Sequence, residues 1–99
     1  MEQLNLLIER YPKLAPVKDN IKNAFDIIAE SYSRGGKLLI AGNGGSASDA
    51  EHIAGELMKA FVKKRKLPDS FIAEIQKIDS EIAQYLIPRL QPGLPAIAL

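Results

Sequence analysis

The chain has 99 residues, of which 46% are hydrophobic, and its 13 basic and 12 acidic side chains leave a formal charge of +1. This length is enough for one domain core and too short for two. Because the net charge is close to zero, the overall charge gives no reason to expect binding to nucleic acid or to a membrane surface.

The sequence contains no cysteine, which excludes disulfides and thiol chemistry and is compatible with a reducing cytoplasm. No basic region followed by an apolar core opens the chain, and no apolar run is long enough to span a bilayer. We therefore expect a cytoplasmic protein whose partners include neither nucleic acid nor a membrane.

Two amphipathic helices are predicted before residue 35. The first carries apolar residues at helical spacing from Leu4 to Tyr11, and Pro12 interrupts it. The second is predicted to begin near Pro16, because proline suits the first turn of a helix, and to end at Gly35-Gly36. Its apolar face consists of Val17, Ile21, Ala24, Phe25, Ile28 and Tyr32.

A short apolar run, Lys37 to Ala41, leads into a glycine-rich turn and then into a polar helix. The run predicts a parallel strand that is covered on both faces. Three glycines within residues 42–45 let the backbone turn sharply and approach a ligand closely. Ser46 or Ser48 is expected to cap the third helix, whose first-turn N–H groups favour an anion or a sugar hydroxyl.

Three polar residues of the third helix, Asp49, His52 and Glu56, are spaced i, i+3 and i+7 and so project from one face. One interpretation is a solvated surface with an ordinary His–Glu pair. The other is a ligand site, because open α/β sheets bind ligands beyond the carboxyl ends of their strands. An imidazole and a carboxylate one turn apart can also hold zinc from a single helix.

The third helix is predicted to run from about Ser46 into the basic cluster Lys63–Lys66, with core contacts at Ile53, Leu57, Ala60 and Phe61. We interpret the basic cluster as the solvated end of that helix, where cations complement the dipole, with a phosphate or partner contact as the alternative. A fourth helix, capped by Asp69 or Ser70, is predicted up to Pro88. Its apolar stripe consists of Phe71, Ile72, Ile75, Ile78, Ile82, Tyr85 and Leu86.

The segment Gly42-Asn43-Gly44-Gly45-Ser46, followed by Asp49-Ala50, His52 and Glu56, resembles the signature of phosphoheptose isomerases, members of the sugar isomerase (SIS) domain superfamily. The close match covers about Lys37 to Phe61, with weaker support from the upstream helices and from Leu94–Leu99. The resemblance implies an α/β fold of three layers around a flavodoxin-like parallel sheet. This chain would supply about four helices and two strands of that fold.

The resemblance also implies a ketose–aldose isomerase that interconverts sedoheptulose 7-phosphate and a heptose 7-phosphate through an enediol. Glu56 matches the catalytic carboxylate of the family, and His52 with Glu56 matches half of a zinc site found in some members. Such a zinc ion would polarise the sugar carbonyl. The positions that match substrate contacts are Asn43, Gly44, Gly45, Ser46 and Asp49.

The sequence departs from the family pattern in two places. A long insert, Val62 to Gly93, replaces the usual short connection and is predicted to be an additional helix. Family members are also about twice this length, so we expect a truncated single domain that lacks the phosphate-binding Ser/Thr-rich loop and a later Gln and His. Its predicted parts are helices 1–34, the strand, glycine loop and active-site helix 37–61, insert 62–93 and a second strand 95–99. We expect negligible turnover by this chain alone.

Two short strands cannot bury the apolar stripes of four helices, so some stripes are expected to meet partner chains. The resemblance implies dimers or tetramers that form through the amino-terminal helices. Self-packing into a small helical bundle is the alternative.

The sequence leaves three classes of function open. The first is the phosphosugar isomerase. The second is a non-catalytic SIS module that binds a phosphosugar, or a protein such as the replication initiator that one relative contacts. The third is a helical oligomerisation fragment without a ligand. His52 and Glu56 favour the first class over the second, because a pure binding module needs neither a base nor a metal ligand there.

Overall fold

The computed structural model describes residues 1–59 and 63–99, and the contacts of the chain separate it into two units, Met1–Gly36 and Lys37–Leu99. The described residues contain five α-helices, one 3-10 helix and a pair of parallel strands, which confirms the predicted α/β class. Ala60 and Phe61, predicted as core contacts, lie outside the described residues. The prediction of a single domain stays a prediction.

The first unit consists of α1, Glu2–Arg10, a 3-10 helix, Pro12–Val17, and α2, Lys18–Ser33. The helical spacing from Leu4 onward is confirmed, and Leu4 is buried. The predicted start of the second helix near Pro16 is wrong by two residues. Two prolines within six residues each lack an N–H donor, so the chain adopts a short 3-10 helix before α2 begins.

The second unit is built around a parallel pair of strands, β1, Leu38–Ile40, and β2, Ala96–Ala98, which are paired residue by residue from Leu38 opposite Ala96. The helix that follows β1 is α3, Gly45–Met58, and it packs against both strands. Its buried residues are alanines, Ala50 and Ala54, whose small side chains let the helix approach the sheet closely.

On the other face of this pair, one residue of each strand is exposed among the described residues, and the cover predicted for both faces of β1 stays a prediction. Leu39 lies opposite Ile97, and the two residues are 55% and 50% exposed. Successive side chains of a strand point to opposite faces, so these two residues point away from the face that α3 covers.

The insert forms two helices where the sequence predicted one. They are α4, Asp69–Ile78, and α5, Ser80–Leu86. Asp79 interrupts them with an extended backbone, and its carboxylate accepts hydrogen bonds from the N–H groups of Glu81 and Ile82 at 3.0 Å. Asp79 is therefore the N-cap of α5. The predicted capping of α4 by Asp69 or Ser70 is wrong, because its N-cap is Pro68, with no side-chain hydrogen bond.

The helix α3 also ends earlier than predicted. Its last residue is Met58, and Lys59 already has an extended backbone, so the helix does not reach the basic cluster at residues 63–66. Every helix among the described residues is too short or too polar to cross a membrane.

Candidate functional site

The glycine loop connects β1 to α3 with a backbone that only glycine adopts readily. Gly44 has φ 59° and ψ −122°, a conformation that strongly disfavours residues with a Cβ atom. Gly42 is required for a different reason. A Cβ atom at Gly42 would lie 2.4 Å from the carbonyl carbon and oxygen of Ser46, so the loop can fold back on the helix only without one.

Ser46 fastens this loop through its side chain. Its hydroxyl donates to the carbonyl oxygen of Asn43 and accepts from the backbone N–H of Asn43, each at 2.8 Å. The backbone N–H of Ser46 donates to the same carbonyl at 3.1 Å. The prediction that Ser46 or Ser48 caps α3 is therefore wrong, because Gly44 is the N-cap and no side chain bonds there. Ser46 instead holds the turn closed.

His52 and Glu56 form the polar pair of α3. The Nε2 atom of His52 lies 3.0 Å from Oε1 of Glu56, and the side chains are 73% and 35% exposed. An ionised carboxylate only accepts hydrogen bonds, so Nε2 carries the proton in this pair when Glu56 is charged. The hydrogen bond orients the carboxylate and leaves Oε2 of Glu56 available to another group.

Asp49 shares the exposed face of α3 with His52 and Glu56, as the spacing predicts. Among the described residues, however, it makes no hydrogen bond or ion pair with either of them. The structure thus brings together His52 and Glu56 at one end of the face, and Asn43 and Ser46 at the loop. Asp49 lies between the two groups along the helix.

The SIS domain model matches residues 3–90, which is most of the chain. The chain belongs to the SIS domain family. The resemblance inferred from the glycine motif is therefore confirmed at the level of the family, and the match extends through most of the insert.

Relatives of this SIS domain include three bacterial phosphoheptose isomerases. The Helicobacter hepaticus protein is 41% identical over 64 residues, which are 65% of this chain and 33% of that protein. The Thermodesulfovibrio yellowstonii protein is 42% identical over 79 residues, 80% of this chain and 26% of its own length. The Burkholderia pseudomallei protein is 37% identical over 79 residues, 80% and 27% respectively. The matched segments thus span a third or less of these relatives, and no solved structure matches the chain.

Two clefts in the second unit of this SIS domain lie at the insert rather than at the glycine loop. One, of about 250 Å³, is lined by Lys64–Leu67, Ile72, Ile87 and Leu90. The other, of about 320 Å³, is lined by Leu67, Pro68, Phe71 and the segment 90–92. Neither cleft is lined by His52, by Glu56 or by a residue of the glycine loop. We therefore place the candidate site at the loop and α3.

The His52–Glu56 pair has the chemistry of a partial zinc site. Imidazole nitrogen and carboxylate oxygen are both zinc ligands, and two ligands of a tetrahedral zinc ion lie roughly 3.4 Å apart, close to the 3.0 Å seen here. No group of three or more potential ligands of the His, Cys, Asp or Glu type exists among residues 1–59 and 63–99. The donor set therefore suits zinc in kind and supplies two ligands.

Sequence reasoning missed Arg65, which contacts the end of α3. Its guanidinium donates to the carbonyl oxygens of Leu57 and Pro92, at 2.7 and 2.9 Å. The sequence predicts that the whole basic cluster is solvated at the end of α3. Arg65 is instead half-buried, although it does bond a carbonyl near that helix end. Its partners at the far end of the insert carry no local sequence signal.

Proposed function

We propose that this SIS domain is part of an enzyme that isomerises a phosphorylated sugar between its ketose and aldose forms, with sedoheptulose 7-phosphate as substrate. The observation that carries the proposal is the His52–Glu56 pair on the helix that begins at the glycine loop. The names of the relatives, which are phosphoheptose isomerases, support the choice of substrate.

In the proposed reaction, Glu56 acts as the base. Its carboxylate removes a proton from the sugar carbon beside the carbonyl, and the electrons of the broken C–H bond form the double bond of an enediol as the carbonyl oxygen gains a proton. The second half of the reaction returns a proton to the former carbonyl carbon. At the same time the hydroxyl on the carbon that was first deprotonated loses its proton and becomes the new carbonyl, which completes the isomerisation. His52 holds one carboxylate oxygen at 3.0 Å, so the other is the atom we assign to proton transfer.

The glycine loop is proposed to bind the sugar. The residues assigned to this role are Asn43, Gly44, Gly45, Ser46 and Asp49. The first turn of a helix carries partial positive charge, which suits a hydroxyl or a phosphate oxygen. Two of its N–H groups in α3, those of Ser46 and Ala47, already donate to the carbonyl oxygens of Asn43 and Gly44. Because the Ser46 hydroxyl already bonds twice to Asn43, we assign it to shaping the loop as well as to substrate contact.

Zinc is a further part of the proposal. His52 and Glu56 would supply two of its ligands, and bound zinc would supply electrophilic polarisation of the sugar carbonyl. The Nε2 proton that now bonds Glu56 would have to leave before that nitrogen could bind a metal. The Nε2 atom of His52 can therefore either bind zinc or donate its hydrogen bond to Glu56, but not both at once.

We also propose that the protein forms a homo-oligomer, a dimer or a tetramer, through its amino-terminal helices. In support, α2 has no buried residue, and its apolar Phe25 and Ile27 are largely exposed. The cytoplasmic location stays a prediction.

The direct test is isomerase activity in the protein expressed from its complete reading frame. Glu56→Gln keeps the shape of the side chain but removes the base, so conversion of sedoheptulose 7-phosphate should fall by about 100-fold or more. Glu51→Gln is the matched control, because Glu51 is an exposed carboxylate on the same helix. Equal turnover by both variants, or none by the wild-type protein, would refute the proposed function.

A further inference from the structure

Arg65 joins two segments of the second unit that are distant in sequence. Besides the bonds to Leu57 and Pro92, one of its guanidinium nitrogens lies 3.4 Å from the carbonyl oxygen of Lys59. Its backbone N–H donates to the side-chain oxygen of Gln91 at 3.3 Å. Arg65 is half-buried, so these bonds are partly shielded from water. The side chain thus bonds to the end of α3 and to the segment that leads into β2.

The carbonyl oxygen of Leu57 is the centre of this arrangement. It accepts from Arg65 at 2.7 Å and from the backbone N–H of Leu94 at 2.9 Å. The last carbonyls of a helix have no partner within the helix, and cations there are favoured by the dipole. Leu57 directly follows Glu56. The turn that carries the proposed base is therefore fixed both to the insert and to the approach of β2.

The same bonds hold the two ends of the insert together. Arg65 lies 26 residues from Gln91 and 27 from Pro92. Lys64 adds a contact between its Nζ atom and the carbonyl oxygen of Pro88. Closing a loop of this length has an entropic cost that grows only slowly with length, so a few charge-assisted bonds offset much of it.

Lys63 and Lys66, in the same basic cluster, do not share this role. Lys63 is exposed and makes no hydrogen bond or ion pair with a described residue, and Lys66 pairs with the exposed Asp69. A lysine could not replace Arg65 either. An ammonium group is a point charge, whereas the planar guanidinium reaches Leu57 and Pro92 with different nitrogens at once.

We propose that Arg65 is a positioning residue for Glu56. By fixing the last turn of α3 against the base of the insert, it keeps the Glu56 carboxylate in register with His52 while the chain accommodates an additional pair of helices. The importance of this Glu56 position for catalysis rests on the proposed function. The hydrogen bonds by which Arg65 holds the end of α3 do not.

The test uses the ring signals of His52, the only histidine in the chain, in nuclear magnetic resonance spectra of this chain. In Arg65→Gln and Arg65→Lys, the His52 ring signals should move toward those of a histidine without a carboxylate partner. Amide exchange at Lys59 and Leu94, whose N–H groups bond to α3, should accelerate about ten-fold. Lys63→Gln removes one charge from the same cluster and should leave both readouts unchanged.

A second control separates the positioning role of Arg65 from a general loss of stability. Ala83→Gly destabilises the buried centre of α5 and so lowers stability without touching Arg65. If it moves the His52 signals as far as Arg65→Gln does, or if Arg65→Gln leaves them in place, the positioning role is wrong.

Kinetics of the complete protein then test the consequence for catalysis. Arg65→Gln should lower kcat about ten-fold or more and change KM little, because a misplaced base slows chemistry rather than binding. An unchanged kcat would show that the positioning of Glu56 by Arg65 does not matter for catalysis. If the wild-type protein turns over no sedoheptulose 7-phosphate, the proposed function fails, while the His52 signals still decide whether Arg65 positions Glu56.

Discussion

The hydroxyl of Ser46 lies 2.8 Å from both the backbone nitrogen and the carbonyl oxygen of Asn43, so one side chain closes the glycine loop from within the helix that follows it. A residue in the first turn of α3 thereby stabilises the loop that precedes the helix. If the loop binds a ligand, as proposed, its shape is already set before binding, which lowers the entropic cost.

Replacing Ser46 by alanine should therefore weaken both the fold and ligand binding. Two hydrogen bonds are lost, at a cost of about 1–2 kcal/mol in the free energy of unfolding, and the Asn43 backbone is no longer held. We expect a lower urea midpoint and weaker binding of sedoheptulose 7-phosphate by calorimetry. Ser48→Ala is the control, since Ser48 is exposed in the same helix. Equal effects of the two substitutions would show that the Asn43 bonds are unimportant.

The two adjacent glycines of the loop should respond differently to alanine. Gly44 has a positive φ, so Gly44→Ala should destabilise the fold by about 1–3 kcal/mol. At Gly45 a Cβ atom would meet nothing within 4 Å, so Gly45→Ala should leave stability unchanged or raise it slightly. Thermal unfolding of both variants measures the difference. Similar losses at both positions would contradict the loop geometry.

Gly45→Ala also separates stability from ligand binding. If the loop backbone approaches the sugar closely, as proposed, the added methyl group should reduce affinity for sedoheptulose 7-phosphate while the protein stays folded. Calorimetry gives the affinity, and circular dichroism checks the fold. Unchanged affinity would remove Gly45 from the proposed binding site.

The parts of the fold that could be predicted from the sequence depend on local patterns. The strand at Leu38–Ile40, the glycine turn and the shared face of His52 and Glu56 follow from residue type and spacing within a few positions. The parallel pairing with Ala96–Ala98 agrees with the apolar run predicted there.

Two kinds of feature could not be predicted. In one, a side chain competes with the helix for backbone N–H groups, and in the other, the bonded residues lie far apart in the sequence. Apolar periodicity runs through residues 71–86 as one stripe, yet Asp79 bonds to its own following N–H groups and ends the helix, which leaves Ile78 83% exposed. Arg65 bonds to Gln91 and Pro92, which lie 26 and 27 residues away in the sequence. A pattern of residues over a few positions shows neither the helix break at Asp79 nor the contacts of Arg65.

Asp79 gives a direct test of the divided insert. Asp79→Ala removes the carboxylate that accepts from Glu81 and Ile82, so the free energy of unfolding should fall by about 1 kcal/mol. Urea unfolding measures this loss. Asp69→Ala is the control, because among the described residues the contact of the Asp69 carboxylate is an exposed ion pair with Lys66, which is worth little. A more stable Asp79→Ala variant would indicate that one continuous helix is preferred and that the cap is unimportant.

Zinc should bind to this chain weakly, well above the nanomolar range of dissociation constants, because α3 offers two ligands and catalytic zinc sites use three. Binding should also require His52, whose Nε2 atom would exchange its hydrogen bond to Glu56 for the metal. Calorimetric titration of the wild-type chain and of His52→Ala tests both points, with Glu51→Gln as the control for general loss of acidic charge. Nanomolar affinity that His52→Ala leaves unchanged would place the metal elsewhere, and would leave the His52–Glu56 hydrogen bond as a device for orienting the carboxylate alone.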